Sequence, residues 1–400
     1  MIPRESYFKQ IDPFIGKNII KVLVGVRRCG KSTLLEMLYR RFLEQGIPAN
    51  SLLHITLESN EFSSLDSAEA LTAYVLSHVD ASRHVKLLFD EIQEVDGWEK
   101  ALRSFMVDLD ADIYITGSNA HVLSSDLATY ITGRYVTIDV YPLSFREFRP
   151  AYLAANPSAT ERSAFMAYVS QGGFPFQDAL SFDSDASIKY LDDLLSTILL
   201  KDIVRRNNIR DVDLLERLAR YAAAEEGHLL SMKSISDFLK SERRKTSPDT
   251  VTNYMNAAEK AFLLYPAPRE DAIGKQRLAF NGKWYVVDQG LRQAMGMSNQ
   301  ANIDQVLEGI VFMELKRRGY SVTVGKVGDA EVDFIARHGR ETEYYQVTYL
   351  MADERTRARE FAPLLAIPNN FPKFVLSMDE VDFSREGILA LNLIGWLLGE

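Results

Sequence analysis

Residues 18–44 read NIIKVLVGVRRCGKSTLLEMLYRRFLE, and this stretch decides the fold. An apolar, β-rich run at its start predicts a buried strand, and the amphipathic pattern from Ser32 onward predicts a helix. Between them GVRRCGKS, Gly25 to Ser32, satisfies the phosphate-loop pattern G-x-x-x-x-G-K-[ST] in the strand-then-helix context that gives the pattern its meaning. Gly25 and Gly30 let the backbone turn so that its N–H groups surround phosphate oxygens, aided by the helix N-terminus. Lys31 is then placed to neutralise β and γ phosphates, and the Ser32 hydroxyl to hold magnesium. Arg28, Cys29 and Thr33 complete the expected nucleotide-binding set, with Arg27 and Arg28 adding positive potential. Cys29 reads as a tolerated small residue rather than a redox switch, although a thiol beside a helix N-terminus can have a lowered pKa.

Outward from the loop, residues 1–150 continue the alternation. SLLHITLE, VKLLFDEI, ADIYITGSN and RYVTIDV are near-continuous apolar strands separated by helical patterns, which predicts a doubly wound parallel sheet covered on both faces. VKLLFDEIQEV places Asp90 and Glu91 at the carboxyl end of such a strand, where Asp90 can hold the magnesium and Glu91 can orient and deprotonate the attacking water. DIYITGSN ends another, so Ser118 or Asn119 could reach the γ-phosphate or the water; the alternative is a turn that caps the next helix. Arg134 is a candidate arginine finger or, alternatively, a surface residue before an edge strand.

Residues 151–213 read as a helical linker interrupted by the turn QGGFPFQ. Residues 214–300 give three helices and two short strands, LLYPAPRE and KWYVVD, with Ser247 as N-cap and Pro248 at the first helical position of the third helix. This fits a winged helix-turn-helix. Residues 301–400 predict a helix from Asn302 to Arg318, three strands with a hairpin turn at Gly339 and Arg340, an amphipathic helix from Asp353 to Leu365, and a final strand KFVLSM: a small α/β domain with a mixed sheet.

The 400 residues are 46% hydrophobic and 25% charged, with one cysteine and a net charge of -9. This is ordinary globular composition, incompatible with a cysteine-bridged scaffold, a cysteine-based zinc site or a globally basic nucleic-acid coat. No leader-like or membrane-spanning apolar stretch is apparent, so a cytoplasmic location is expected. The charge is uneven: 9 basic against 4 acidic side chains in residues 1–50, 9 against 22 in 51–200, 17 against 13 in 201–300, and 11 against 16 in 301–400. Net acidity therefore leaves a local basic face open.

With GVRRCGKSTLL, LLFDEIQEVDGWEKALR, IYITGSNAHVLSSDLATYITGRY and YPLSFREF in this order, the chain resembles prokaryotic AAA-type P-loop ATPases whose C-terminal domain resembles the Holliday-junction resolvase and restriction-endonuclease fold. The resemblance spans roughly Tyr7 to Leu365. It implies an ATPase core, a winged helix and a nuclease-like tail, in a wider group connected with DNA processing or with switch-like NTPases. That nuclease fold uses a helix glutamate, a strand aspartate and an acid-x-lysine. The matching positions here are Glu308, Asp333 and Gln346-Val347-Thr348. Gln346 supplies no second carboxylate and Thr348 no cation, which implies a degenerate site; Lys326 or Arg337 could substitute in space.

The cluster Lys240, Arg243, Arg244 and Lys245 precedes the third helix of the winged region, whose exposed candidates are Thr250, Thr252, Asn253 and Asn256. These are basic and short polar groups suited to phosphate or base-edge contacts. Lys316, Arg317 and Arg318 end their helix and can simply complement its dipole. The expectation is a magnesium-dependent ATPase acting as an oligomer on duplex or branched DNA, possible substrates including the Holliday junction, with Arg134 acting across a subunit interface. The alternatives are a nucleotide-dependent protein switch and, behind it, a metal-dependent nuclease.

Overall fold

The computed structural model describes residues 2–120, 131, 133–241, 244, 246–272 and 282–399, which fall into two compact units, Met1–Tyr141 and Pro142–Glu400. Arg243 and Lys245 lie outside the described residues.

The first unit is built on a parallel sheet of β1 (Ile20–Val24), β2 (Leu52–Thr56), β3 (Val85–Asp90), β4 (Ala111–Gly117) and β5 (Tyr135–Asp139), in the order β2-β3-β4-β1-β5. Every residue of β1, β3 and β4 is buried, as strands covered by helices on both faces require. Among the described residues its α-helices are α1 (Glu5–Ile11), α2 (Lys31–Glu44), α3 (Ala68–His78) and α4 (Trp98–Asp108). In α2, Leu34, Leu35, Leu38 and Phe42 make one buried stripe, while Gly30 before it takes the left-handed conformation that lets the chain turn from loop into helix. Ser67 caps α3 by accepting the Ala70 N–H at 3.3 Å.

Near the amino ends of β1, β3 and β4 lies a buried charge cluster. Asp112 accepts hydrogen bonds from Lys21, from Lys86 at 2.7 Å, from the Tyr114 hydroxyl at 2.8 Å and from the Gly16 N–H at 3.0 Å. Two ammoniums face one carboxylate there, with hydrogen bonds filling the remaining valences.

The second unit begins with α5 (Phe145–Ala155), whose Ser144 and Glu147 form a reciprocal capping box, then α6 (Glu161–Gln171) and α7 (Ser184–Thr197). Three helices follow: α8 (Val212–Ala224), α9 (Met232–Ser241) and α10 (Pro248–Lys260), the last capped by Ser247 with Pro248 at its first position. The run LLYPAPRE, expected as one strand, is two. Its first part, β6 (Leu264–Ala267), pairs antiparallel with β8 (Lys283–Val286), whereas β7 (Arg269–Asp271) runs parallel to β9 (Ser321–Val327). Pro268 has no N–H to donate, and its carbonyl accepts from Val324 at 2.9 Å, so the chain changes sheets at that residue.

After α11 (Gln289–Ala294) and α12 (Ile303–Arg317), β9, β10 (Ala330–His338) and β11 (Glu341–Val347) form an antiparallel meander. Its β10–β11 turn is Gly339–Arg340, with Gly339 at φ +60. Helix α13 (Glu354–Leu365) then crosses to β12 (Lys373–Ser377), parallel to β11. The sequence pattern predicts no element beyond this strand. The structure adds β13 (Leu389–Asn392), parallel to β12, and α14 (Leu393–Leu398), completing the order β13-β12-β11-β10-β9-β7. Val332, Ile335, Tyr344, Phe361, Leu364 and Val375 pack into the core between this sheet and α13.

Candidate functional site

Strand order decides what meets at the carboxyl end of the parallel sheet. Because β4 lies between β1 and β3, the register Val24↔Gly117 and Phe89↔Ile115 sets Ser118 and Asn119 beside the phosphate loop on one side and Asp90 and Glu91 on the other. All four side chains are buried. Gly25 packs so closely on the strand-end loop after β5 that a Cβ would run into the Val140 carbonyl, which explains glycine there. The Cys29 thiol donates to the same carbonyl at 3.1 Å. Burial pushes its pKa up, opposite to the lowering a helix N-terminus can bring, so the thiol is a packed donor. Arg28 is exposed with φ +63, Thr33 is exposed, and Arg27 faces Glu58 at 3.8 Å.

Lys31 Nζ donates to the carbonyls of Gly25 and Val26 at 3.0 and 3.1 Å, so its ammonium sits inside the curve of the loop. Thr116 links the acids: its hydroxyl donates to Asp90 Oδ1 at 2.6 Å and accepts the Glu91 N–H at 2.8 Å. That bond helps to hold Glu91 at φ +54, a left-handed conformation that a non-glycine residue keeps only when its surroundings impose it. The Gln93 amide donates to the Glu91 carboxylate. Burial works against the charged form of Glu91, but the Lys31 ammonium, Gln93 and Arg27 outweigh it and hold the carboxyl below its ordinary range. Asp90 is shifted the other way: burial raises it, against hydrogen bonds from Thr116 and Ser32. A paired hydroxyl and carboxylate, an ammonium inside the loop and a second, ionised carboxylate form a donor set that fits magnesium and a nucleotide triphosphate.

Arg134 lies elsewhere. Its carbonyl accepts the Ile20 N–H at 2.9 Å and Tyr135 pairs with Ile20, which puts it at the amino end of the sheet. The strand rise of about 3.3 Å per residue separates it from the level of Gly25 by roughly 20 Å. That is beyond the reach of an arginine side chain, so Arg134 cannot serve this chain's own loop.

In the second unit Glu308, Asp333 and Gln346 come together. The Asp333 N–H donates to Gln346 Oε1 at 3.4 Å, and Asp333 Oδ2 accepts the Val347 N–H at 2.8 Å. The cation beside them is neither Lys326 nor Arg337. Arg337 forms a two-pronged pair with Glu270, and the ammonium among the acids belongs to Lys283 of β8. Of the basic cluster, Lys240 pairs with Asp237 at 3.2 Å and Arg244 with Asp213. Asn253 and Asn256 are exposed on α10, but the Thr250 hydroxyl bonds Ser247 and that of Thr252 donates to the Pro248 carbonyl, so both are engaged with their own helix start. Arg317 and Arg318 both reach Glu314, one turn back, in addition to lying at the helix end.

Residues 17–149 match the AAA domain family, and residues 162–302 match a domain of unknown function (DUF8612). Over 401 residues, covering 100% of this chain and 99% of the relative, the chain is 38% identical to an uncharacterized protein of Haemophilus influenzae. The chain belongs to the same family as that protein. It is also 29% identical to an uncharacterized protein of Methanocaldococcus jannaschii over 356 residues, 86% of this chain and 77% of the relative. Among solved structures it is similar to the Aeropyrum pernix ORC1 protein in complex with DNA, with 10% identity, 76% of this chain and 94% of that chain covered, and a TM-score of 0.32. For AMPPCP-bound DnaA from Aquifex aeolicus the values are 13%, 65% and 89%, and 0.34.

Several residues of this AAA-type P-loop domain escaped the sequence reading. Thr116 was visible only as the middle of a buried strand, and Gln93 only as a polar residue after the acids. Arg4, at the start of α1, donates to the Cys29 carbonyl at 3.1 Å and the Tyr141 carbonyl at 2.7 Å, pinning the phosphate loop to the segment after β5. No local pattern marks such a contact, since its partners are backbone oxygens far along the chain.

Proposed function

We propose that the AAA domain binds and hydrolyses ATP, and that the second unit couples this cycle to DNA binding in an oligomer. The observation that carries the first part is the convergence of Lys31, Ser32, Asp90 and Glu91 at one end of the sheet. Lys31 would exchange its loop carbonyls for phosphate oxygens, and Gly25, Arg28, Cys29, Gly30 and Thr33 would supply the backbone cradle around them. Ser32 and Asp90 would hold Mg2+, which supplies charge neutralisation on the phosphates. Glu91, ionised and fixed by Gln93 and Thr116, would accept the proton of the attacking water, and Asn119 would orient that water. Arg134 would act only on a neighbouring subunit's site.

Support for DNA comes from α8, α9 and α10 followed by the β6–β8 pair, which we read as a winged helix, with Lys240, Arg243, Arg244 and Lys245 leading into the exposed Asn253. Alanine at all four basic positions is expected to weaken duplex binding uniformly across sequences. The slope of log K against log salt should become shallower by up to about 3.6, since each lost phosphate contact removes roughly 0.9. An unchanged slope would remove this surface from the interface.

One observation favours a nucleotide-dependent protein switch instead: Lys240 and Arg244 already have carboxylate partners, so phosphates must compete for them. If duplex, branched and single-stranded DNA all fail to stimulate ATP turnover and fail to shift in a gel at low salt, the switch reading replaces the DNA reading.

A further inference from the structure

A nuclease-type fold gathers its carboxylates around a divalent metal, and the residues present here do not fit one. Among the described residues no three His, Cys, Asp or Glu side chains are placed to hold a metal ion. The space beside the acids contains an ammonium instead. Lys283 Nζ lies 2.8 Å from Glu308 Oε1, 2.7 Å from Glu331 Oε1 and 3.6 Å from Asp333 Oδ1, and its side chain is only 2% exposed. Two further hydrogen bonds hold the acids in place. The Tyr285 hydroxyl donates to Glu308 Oε1 at 2.6 Å, and the Val347 N–H holds the second oxygen of Asp333.

We propose that Lys283 is a built-in cation that closes this carboxylate cluster to divalent metals, so that the C-terminal fold serves as a metal-free body rather than as a nuclease. The charges support this. A hard divalent ion needs several ionised oxygen ligands, and Gln346 replaces one with a neutral amide. The three acids that remain already surround a fixed positive charge, which would repel an incoming ion at short range in a buried setting. Burial alone would favour the neutral amine, but Glu308, Asp333 and Glu331 outweigh it and raise the Lys283 pKa, so it is neither a proton acceptor nor a group that leaves by deprotonation. Lys283 stands on β8, Glu308 on α12, and Glu331 and Asp333 on β10. One ammonium thereby ties the strand pair after α10 to the C-terminal sheet.

The test counts Mn2+ bound to the nucleotide-free full chain by electron paramagnetic resonance. Parent and the double variant Glu308→Gln/Asp333→Asn are expected to bind the same number of ions. Loss of one ion per chain in the double variant would overturn the proposal. Lys283→Met keeps much of the side-chain volume and removes the charge; it is expected to gain one Mn2+ per chain, lost again in Lys283→Met/Asp333→Asn. A folded Lys283→Met chain that gains none would also overturn it. Should Lys283→Met not fold, the comparison of parent with the double variant decides alone. A third arm follows linear and branched DNA with Mn2+ and Mg2+: no cleavage is expected, and cleavage by the parent that disappears in Lys283→Met would make Lys283 a catalytic residue instead.

Discussion

Glutamine at position 91 should leave ATP bound and reduce turnover by about 10²- to 10⁴-fold, the range spanned by a positioned general base. The amide keeps the shape of the side chain and, through the main-chain N–H, the bond to Thr116, so the loop and Asp90 stay where they are. What disappears is a proton acceptor that the structure keeps ionised through Lys31, Gln93 and Arg27. Lys31→Ala should differ in kind. It removes the only ammonium found inside the loop among the described residues, and nucleotide binding itself should fall below detection. Titration with a fluorescent ATP analogue beside steady-state phosphate release separates the two: Glu91→Gln binds without turning over, Lys31→Ala does neither. Equal release rates in both variants and the parent would sink the site assignment.

The largest effect on stability is expected at the other end of the same sheet. Asp112 is fully buried, as is Lys21, and the Lys86 side chain is 8% exposed, so Asp112→Ala would leave two ammoniums without their carboxylate. Removing one partner of a buried pair costs about 3–5 kcal/mol, and here the lost partner serves two cations. Urea midpoints read through a signal from the first unit should register it; a change under about 1 kcal/mol would show that water reaches the cluster and screens it. Burial works against the Asp112 carboxylate, but Lys21 and Lys86 hold its pKa below 3.8. Its contribution to stability is therefore complete above pH 3.8 and is lost as pH falls through the lower folded value.

Much of the first unit was legible because buried parallel strands leave an unmistakable trace. β1, β3 and β4 are mostly apolar runs ending in Val24, Asp90 and Gly117, and the phosphate loop fixes which end of them matters. Strand order was not legible. Nothing local says that β4 inserts between β1 and β3, yet that insertion places Thr116 against both acids and Asn119 beside the loop. For Arg134 the sequence left two readings open, and the register places it as the second had it, an exposed residue directly before the edge strand β5. In the second unit the helix caps and the Gly339 turn were readable from local chemistry. The division of LLYPAPRE was not, although Pro268 carried the reason for it. Lys283 was missed because it sits in KWYVVD, a segment that reads simply as a strand, 25 residues before Glu308.

The Lys283 contact has one more consequence. A bound metal comes and goes with its free concentration, and any link that it makes between two parts of a protein weakens when magnesium is scarce. An ammonium carried on the chain cannot dissociate, and its effective concentration at the acids is set by the fold alone. The junction between β8, α12 and β10 is thus indifferent to chelators and to the cellular supply of divalent ions. On the function proposed above, magnesium would act at the nucleotide end and not at this junction.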